Sequence, residues 1–102
     1  MSLSNIQLRY LRGLTHHLKP VVTVADKGLS ENVRSEIESA LEHHELVKIK
    51  LRSDRETRSA WVDEIVSSFG AESVQSIGQV ASFFRRNRKK PVVELPGKLA
   101  QG

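Results

Sequence analysis

Pro20 and the residues behind it limit the folds open to this chain more than any other stretch. The segment Leu18-Lys19-Pro20-Val21-Val22-Thr23-Val24-Ala25-Asp26-Lys27-Gly28-Leu29-Ser30 opens on a proline whose ring excludes continued helix. Four β-branched residues follow, Val21 to Val24, and predict a strand. The run has no polar alternation, so both faces are expected to be covered, as in a central strand. A short polar turn with Lys27 and Gly28 comes next, and Ser30 is a good cap for a helix. A strand, a turn and a helix this close together let backbone N–H groups and the positive end of a helix dipole meet an anion. A working site is therefore expected at Ala25–Gly28.

At 102 residues the chain has room for one domain with one modest core. That domain is expected over residues 1–97, with a flexible tail at 98–102. No apolar run is long enough for a membrane helix. Without cysteine, disulfides and thiol chemistry are excluded. With no secretory apolar core near the N-terminus, a reducing, cytoplasmic setting is the expectation. The four histidines form two adjacent pairs, His16-His17 and His43-His44. Neighbours do not share a helix face, so neither pair grips a metal. No nucleophile–base pair or paired acids stand at meaningful spacing, so no catalysis and no cofactor are expected.

Charge is distributed unevenly. Net charge is +4, yet six of the twelve acidic residues lie between Asp26 and Glu45 beside only two basic ones, Lys27 and Arg34. The rest of the chain carries fourteen basic and six acidic residues. A basic face for a polyanion, with an acidic helix turned away from it, is one reading; an uneven solvated surface is the other.

Taken in order, Ser4 and Gln7 have the spacing of a capping box, and Leu8, Leu11, Leu14 or Thr15, and Leu18 mark an apolar helix stripe. From Ser30 to about His44, Leu29, Val33, Ile37, Ala40 and Leu41 fall on one face of a second helix. Leu46 to Arg52 alternates as a strand, with Val47, Ile49 and Leu51 on one side and Lys48, Lys50 and Arg52 on the other. Ser53 and Glu56 suggest another capping box, opening a helix to Phe69. Its buried side is expected to hold Ala60 or Trp61, Val62, Ile65, Val66 and Phe69, with Gly70 ending it. Ser73–Ile77 and Gln79–Phe84 predict a hairpin about Gly78. Arg85-Arg86-Asn87-Arg88-Lys89-Lys90 then puts five cations in six residues. Such density favours nucleic acid as partner. Val92–Leu95 could add a short edge strand.

The predicted class is α/β: a compact single domain, a four-stranded mixed sheet packed with helices, in the order α-β-α-β-α-β-β. Strand–helix–strand units make parallel pairs, which puts the turns at Ala25–Leu29 and Arg52–Arg55 side by side. Lys27, Arg52, Arg55 and Arg58 would then surround two helix N-termini, a place suited to phosphate. Arg85–Lys90 is expected at the opposite edge, so the bound object would be long.

Several segments together resemble CRM-domain proteins of the bacterial stand-alone, YhbY-like type. They are Leu18-Lys19-Pro20-Val21-Val22, Gly28 to Val33, the block Glu36 to Lys50, and Ile77-Gly78 followed by Phe83-Phe84-Arg85. The resemblance spans roughly Leu3 to Leu95. It implies a fold similar to the C-terminal domain of translation initiation factor three. It also implies RNA binding and, for stand-alone bacterial members, association with precursors of the large ribosomal subunit. The family's G-x-x-G turn, comparable to that of KH domains, corresponds here to Ala25-Asp26-Lys27-Gly28, with Ala25 in the first glycine's place. Either that turn differs in shape or Ala25 has ordinary backbone angles. Gln79 stands where the family has a basic residue, and Phe84 where it has tyrosine.

The expected function is therefore non-enzymatic RNA binding, with ribosomal RNA of large-subunit precursors as partner and ribosome assembly as the process. The candidate RNA contacts are Lys19, Ala25, Asp26, Lys27, Gly28, Arg52, Arg55, Arg58, Arg85, Arg86, Arg88, Lys89 and Lys90. A monomer is expected, with no membrane and no small-molecule substrate. The alternative is a protein-interaction module docking through the acidic helix at 30–44.

Overall fold

The computed structural model describes residues 3–97. Its elements are α1 (Asn5–Thr15), β1 (Val22–Val24), α2 (Glu31–His44), β2 (Leu46–Leu51), α3 (Arg55–Phe69), β3 (Glu72–Ile77) and β4 (Val80–Phe84). The expected class and element order are both present. The tail expected at 98–102 lies outside the described residues.

The strand order is β1-β2-β4-β3. β1 runs parallel to β2, while β4 runs antiparallel to both β2 and β3. β1 is thus an edge strand, not a central one. Its middle residue, Thr23, is exposed between buried Val22 and Val24. Four β-branched residues dictate an extended backbone; they do not dictate cover on both faces.

Each sheet face carries its own core. On one face Val22, Val24, Val47, Ile49, Leu51, Ala81 and Phe83 meet Ile37 and Leu41 of α2 and Ile65 of α3. On the other, Leu46, Val74 and Phe84 meet Leu11 of α1 and Leu95. The period-two alternation of β2 serves both faces: Val47, Ile49 and Leu51 enter the first core and Lys48 and Lys50 point the other way.

Local signals explain most boundaries. Ser4 and Gln7 form the reciprocal capping box, with Gln7 N–H donating to Ser4 Oγ at 3.1 Å and Ser4 N–H to Gln7 Oε1 at 3.0 Å. α1 ends at Thr15, short of Leu18, because the N–H groups of His16, His17 and Leu18 reach back three residues and close the helix with tight turns. Thr15, rather than Leu14, is the buried member of the stripe. Ser30 caps α2 through Val33 N–H. In α3 the cap is one residue later than expected: Asp54, not Ser53, accepts Thr57 N–H at 2.7 Å. Only Ile65 of α3 is fully buried, and Ala60 faces solvent. Gly70 closes α3 in the left-handed conformation.

A bulge in β3 at Ser73–Gln75 shifts its register against β4. Val92–Leu95 is not a strand. Instead, Val92 and Val93 N–H groups donate to the Glu45 carboxylate, both at 2.7 Å.

Candidate nucleic-acid interface

The turn at Ala25–Gly28 is closed by Gly28 N–H donating to the Ala25 carbonyl at 2.8 Å. Gly28 has φ +63°. Ala25 does not: among the described residues Glu45 is the sole non-glycine with positive φ. The replaced first glycine therefore imposes no backbone strain, and the second supplies the one left-handed position the turn requires. A Cβ placed on Gly28 would lie 3.7 Å from Nε1 of Trp61, an ordinary contact. Trp61, half-buried on α3, thus sits against the turn.

Parallel pairing of β1 with β2 brings the next turn alongside. Arg52 N–H donates to the Val24 carbonyl at 2.8 Å. Arg55 opens α3, and Arg58 Nη1 donates to the Ser53 carbonyl at 2.7 Å. The Gly78–Gln79 hairpin joins the same end, where Leu51 N–H meets the Gln79 carbonyl. Lys27, Arg52, Arg55 and Arg58 thus share one end of the sheet with the N-termini of α2 and α3. Among the described residues, none of the four has a carboxylate oxygen within 4.0 Å. Acidic residues lie here too. Asp26 is exposed in the turn, Glu31 and Glu56 stand in the first turns of α2 and α3, and Asp54 caps α3. Thr57 donors hold the Asp54 carboxyl below its usual range.

Arg85–Lys90 leaves β4 at the opposite end, as the topology requires. The seven-residue step along the chain from Glu45 to Arg52 spans about 23 Å when extended. Here the basic run divides. Arg85 grips Glu38 through two hydrogen bonds of 2.9 and 2.7 Å and also reaches Glu42 at 3.4 Å. The Glu38 hydrogen bonds hold the Arg85 guanidinium above its ordinary pKa and, reciprocally, hold Glu38 below its own. Arg86 turns inward to Glu45, with Nη1 at 3.1 Å from both carboxylate oxygens, and lies over the Phe84 ring. Arg88, Lys89 and Lys90 are exposed. Asn87 fixes their loop, its Oδ1 accepting the N–H groups of Lys89 and Lys90 at 3.1 Å each.

The acidic helix is therefore not simply turned away from the basic surface: Arg85 reaches its Glu38 and Glu42, while its own Arg34 pairs with Glu64 of α3 at 3.1 Å. Lys19 is exposed just before β1 and lines a cavity with His44, Val92 and Val93, which puts it towards the end where Arg85–Lys90 leaves the sheet. Cations that the candidate set left out lie on the side of the sheet that α1 covers: Lys48 and Lys50 on β2, His16 beside Lys48 in one cavity, and Arg12, which donates to the Val74 carbonyl at 3.0 Å. The available signals were the row of Lys48, Lys50 and Arg52 on one face of the expected strand, equally a nucleic-acid platform or a solvent face, and the absence of any acidic residue before Asp26. Among the described residues, no three His, Asp or Glu side chains come together as metal ligands, and no helix is long and apolar enough to cross a membrane.

Comparison with known proteins identifies the family. A sequence profile of the CRS1/YhbY (CRM) domain matches residues 3–85. A Haemophilus influenzae protein named RNA-binding protein is 43% identical over 98 residues, covering 95% of this chain and 98% of its own length. A Bacillus subtilis relative, YqeI, named a probable RNA-binding protein, is 30% identical over 95 residues, covering 92% of this chain and 99% of its own. The solution structure of a hypothetical Staphylococcus aureus protein, described as a candidate RNA binding protein, superposes with a TM-score of 0.79 at 28% identity. It covers 93% of this chain and 100% of that one. This chain belongs to the CRS1/YhbY (CRM) domain family.

Proposed function

We propose that this protein binds RNA without catalysis, and that its partner is ribosomal RNA in precursors of the large subunit, whose assembly it assists in the cytoplasm as a monomer. One observation carries the reading. Lys27, Arg52, Arg55 and Arg58 converge on one end of the sheet with no carboxylate within 4.0 Å among the described residues. Cations not tied to a carboxylate, at two helix N-termini, suit phosphate. The names of the relatives point to the same ligand.

In this reading Lys27 with its turn, Arg52, Arg55 and Arg58 form the primary contact. Arg88, Lys89 and Lys90 form a second one at the far end, with Lys19 towards the same end. Arg85 and Arg86 act indirectly, by holding the far loop against α2. Docking of a protein on the acidic helix is the weaker reading, because Arg85 takes up Glu38 and Glu42.

The test is a titration of ribosomal RNA fragments at several salt concentrations. Neutralising about five to eight phosphates makes affinity fall steeply with salt. A flat salt dependence, or no binding at low salt, would refute the proposal. Crosslinking in cells with sequencing of the bound RNA tests the ribosomal assignment.

A further inference from the structure

α1 covers only part of its sheet face. Its buried contacts are with Leu46, Val74 and Phe84, and beyond Thr15 the chain turns away towards Pro20. The rest of that face lies open. One cross-strand row, Thr23, Lys50, Val80 and Ile77, runs over all four strands, and Lys48, Ser82 and Gln75 form the row beside it. Between these rows and the C-terminal end of α1 is a cavity of about 260 Å³.

The chemistry of the cavity is specific. Pro20, Val80 and Ile77 give it apolar walls, and Ile77 is 63% exposed with no protein partner to account for it. Gln75 accepts the Thr15 hydroxyl through Oε1 at 3.1 Å. Its amide NH2 has no acceptor among the described residues, and the Ser82 hydroxyl is close by. His16 and Lys48 bring an imidazole and an ammonium group, and no carboxylate lines the space. Apolar walls, an amide and a hydroxyl suit a planar heterocycle with polar edges. A cationic surround suits one attached to phosphates. Lys50 shares the row of Val80 and Ile77 and lies two residues before Arg52, so it stands between the cavity and the Lys27 corner.

We propose that this cavity receives one unpaired nucleobase of the bound RNA, with the adjoining phosphates on Lys48 and Lys50. The inference rests on the RNA-binding reading and narrows its ligand to RNA with single-stranded or junction nucleotides. A continuous duplex cannot deliver a base into a space of this size, because its bases remain stacked and paired.

The experiment compares a single-stranded RNA with a perfect duplex of equal length by fluorescence anisotropy, using the parent chain and Ile77→Ser. Ile77 is exposed, so the variant should fold as the parent does, which circular dichroism checks. The parent should bind the single strand at least tenfold tighter than the duplex. Ile77→Ser should reduce single-strand affinity about fivefold to tenfold, leave duplex affinity within twofold, and keep the salt slope. A single strand carrying 4-thiouridine should crosslink to His16 or to the peptide 75–82. Equal affinity for the two RNAs, or an unchanged Ile77→Ser, overturns the base site while leaving RNA binding standing. If neither RNA binds, both readings fall.

Discussion

Arg86 and Glu45 form a buried pair: Nη1 lies 3.1 Å from each carboxylate oxygen, and Glu45 is 0% exposed. Three backbone N–H groups, from Asn87, Val92 and Val93, complete the carboxylate's shell at 2.6–2.7 Å. Glu45 also has φ +62° at the end of α2, a costly conformation for a side chain of this kind. One acidic group thus fastens the segment 86–93 to the sheet.

Removing it should be severe. Glu45→Ala leaves the Arg86 guanidinium and three backbone donors without their acceptor. The expected loss is about 3–5 kcal/mol, read by urea denaturation. Glu45→Gly, which relieves the positive φ, should recover part of it, by about 1 kcal/mol. If Glu45→Ala unfolded at the parent's midpoint, the network would contribute nothing to stability.

Acid should loosen the same segment. Burial alone would raise the pKa of Glu45; the N–H groups of Val93, Asn87 and Val92, with Arg86, outweigh it and hold the carboxyl below the ordinary 4.5. Glu38 is also held below that value, chiefly by its hydrogen bonds to Arg85. For groups whose pKa is lower in the folded than in the unfolded state, the stabilisation is complete above the unfolded value. It is lost as pH falls through the folded one. Stability should therefore hold from neutral pH down to about 5 and decline below 4.5. In Glu45→Gln that decline should be shallower, as measured by denaturation across pH.

How far these features could be read in advance varied with their range. The alternation in Leu46–Leu51 and the Ser4–Gln7 cap involve neighbours along the chain, and both are present as expected. Ser53 and Asp54 are both competent caps, so local sequence left one residue of ambiguity. Thr23 is exposed because β1 lies at the sheet edge, a matter of topology beyond the reach of residue type. The basic run at 85–90 showed its charge density but not that Arg85 meets Glu38, 47 residues away. The corner formed by Lys27 and Arg52 was legible because parallel pairing alone brings it together.

The turn carries its own stability prediction. Since Ala25 has no positive φ, Ala25→Gly, which restores a glycine at both ends of the turn, should destabilise by about 0.4–1 kcal/mol through unfolded-state entropy. Gly28→Ala should cost about 1 kcal/mol or more from φ +63°, and should perturb the fluorescence of adjacent Trp61. Thermal unfolding followed through that tryptophan reads both.

The final prediction separates binding from folding by pairing two cations. Lys27 is exposed, with no carboxylate within 4.0 Å among the described residues. Arg85 is held by Glu38, Glu42 and the Phe69 carbonyl. Lys27→Glu should leave the denaturation midpoint within about 0.5 kcal/mol of the parent. It should weaken RNA binding at least tenfold and flatten the salt slope by about one to two units, since a phosphate contact is lost and a like charge put in its place. Arg85→Ala should do the reverse: it leaves Glu38 and Glu42 without their shared cation, lowers stability, and keeps the salt slope. An unchanged RNA affinity in Lys27→Glu would move the contact away from the turn. A reduced salt slope in Arg85→Ala would show that its guanidinium leaves Glu38 for phosphate when RNA binds.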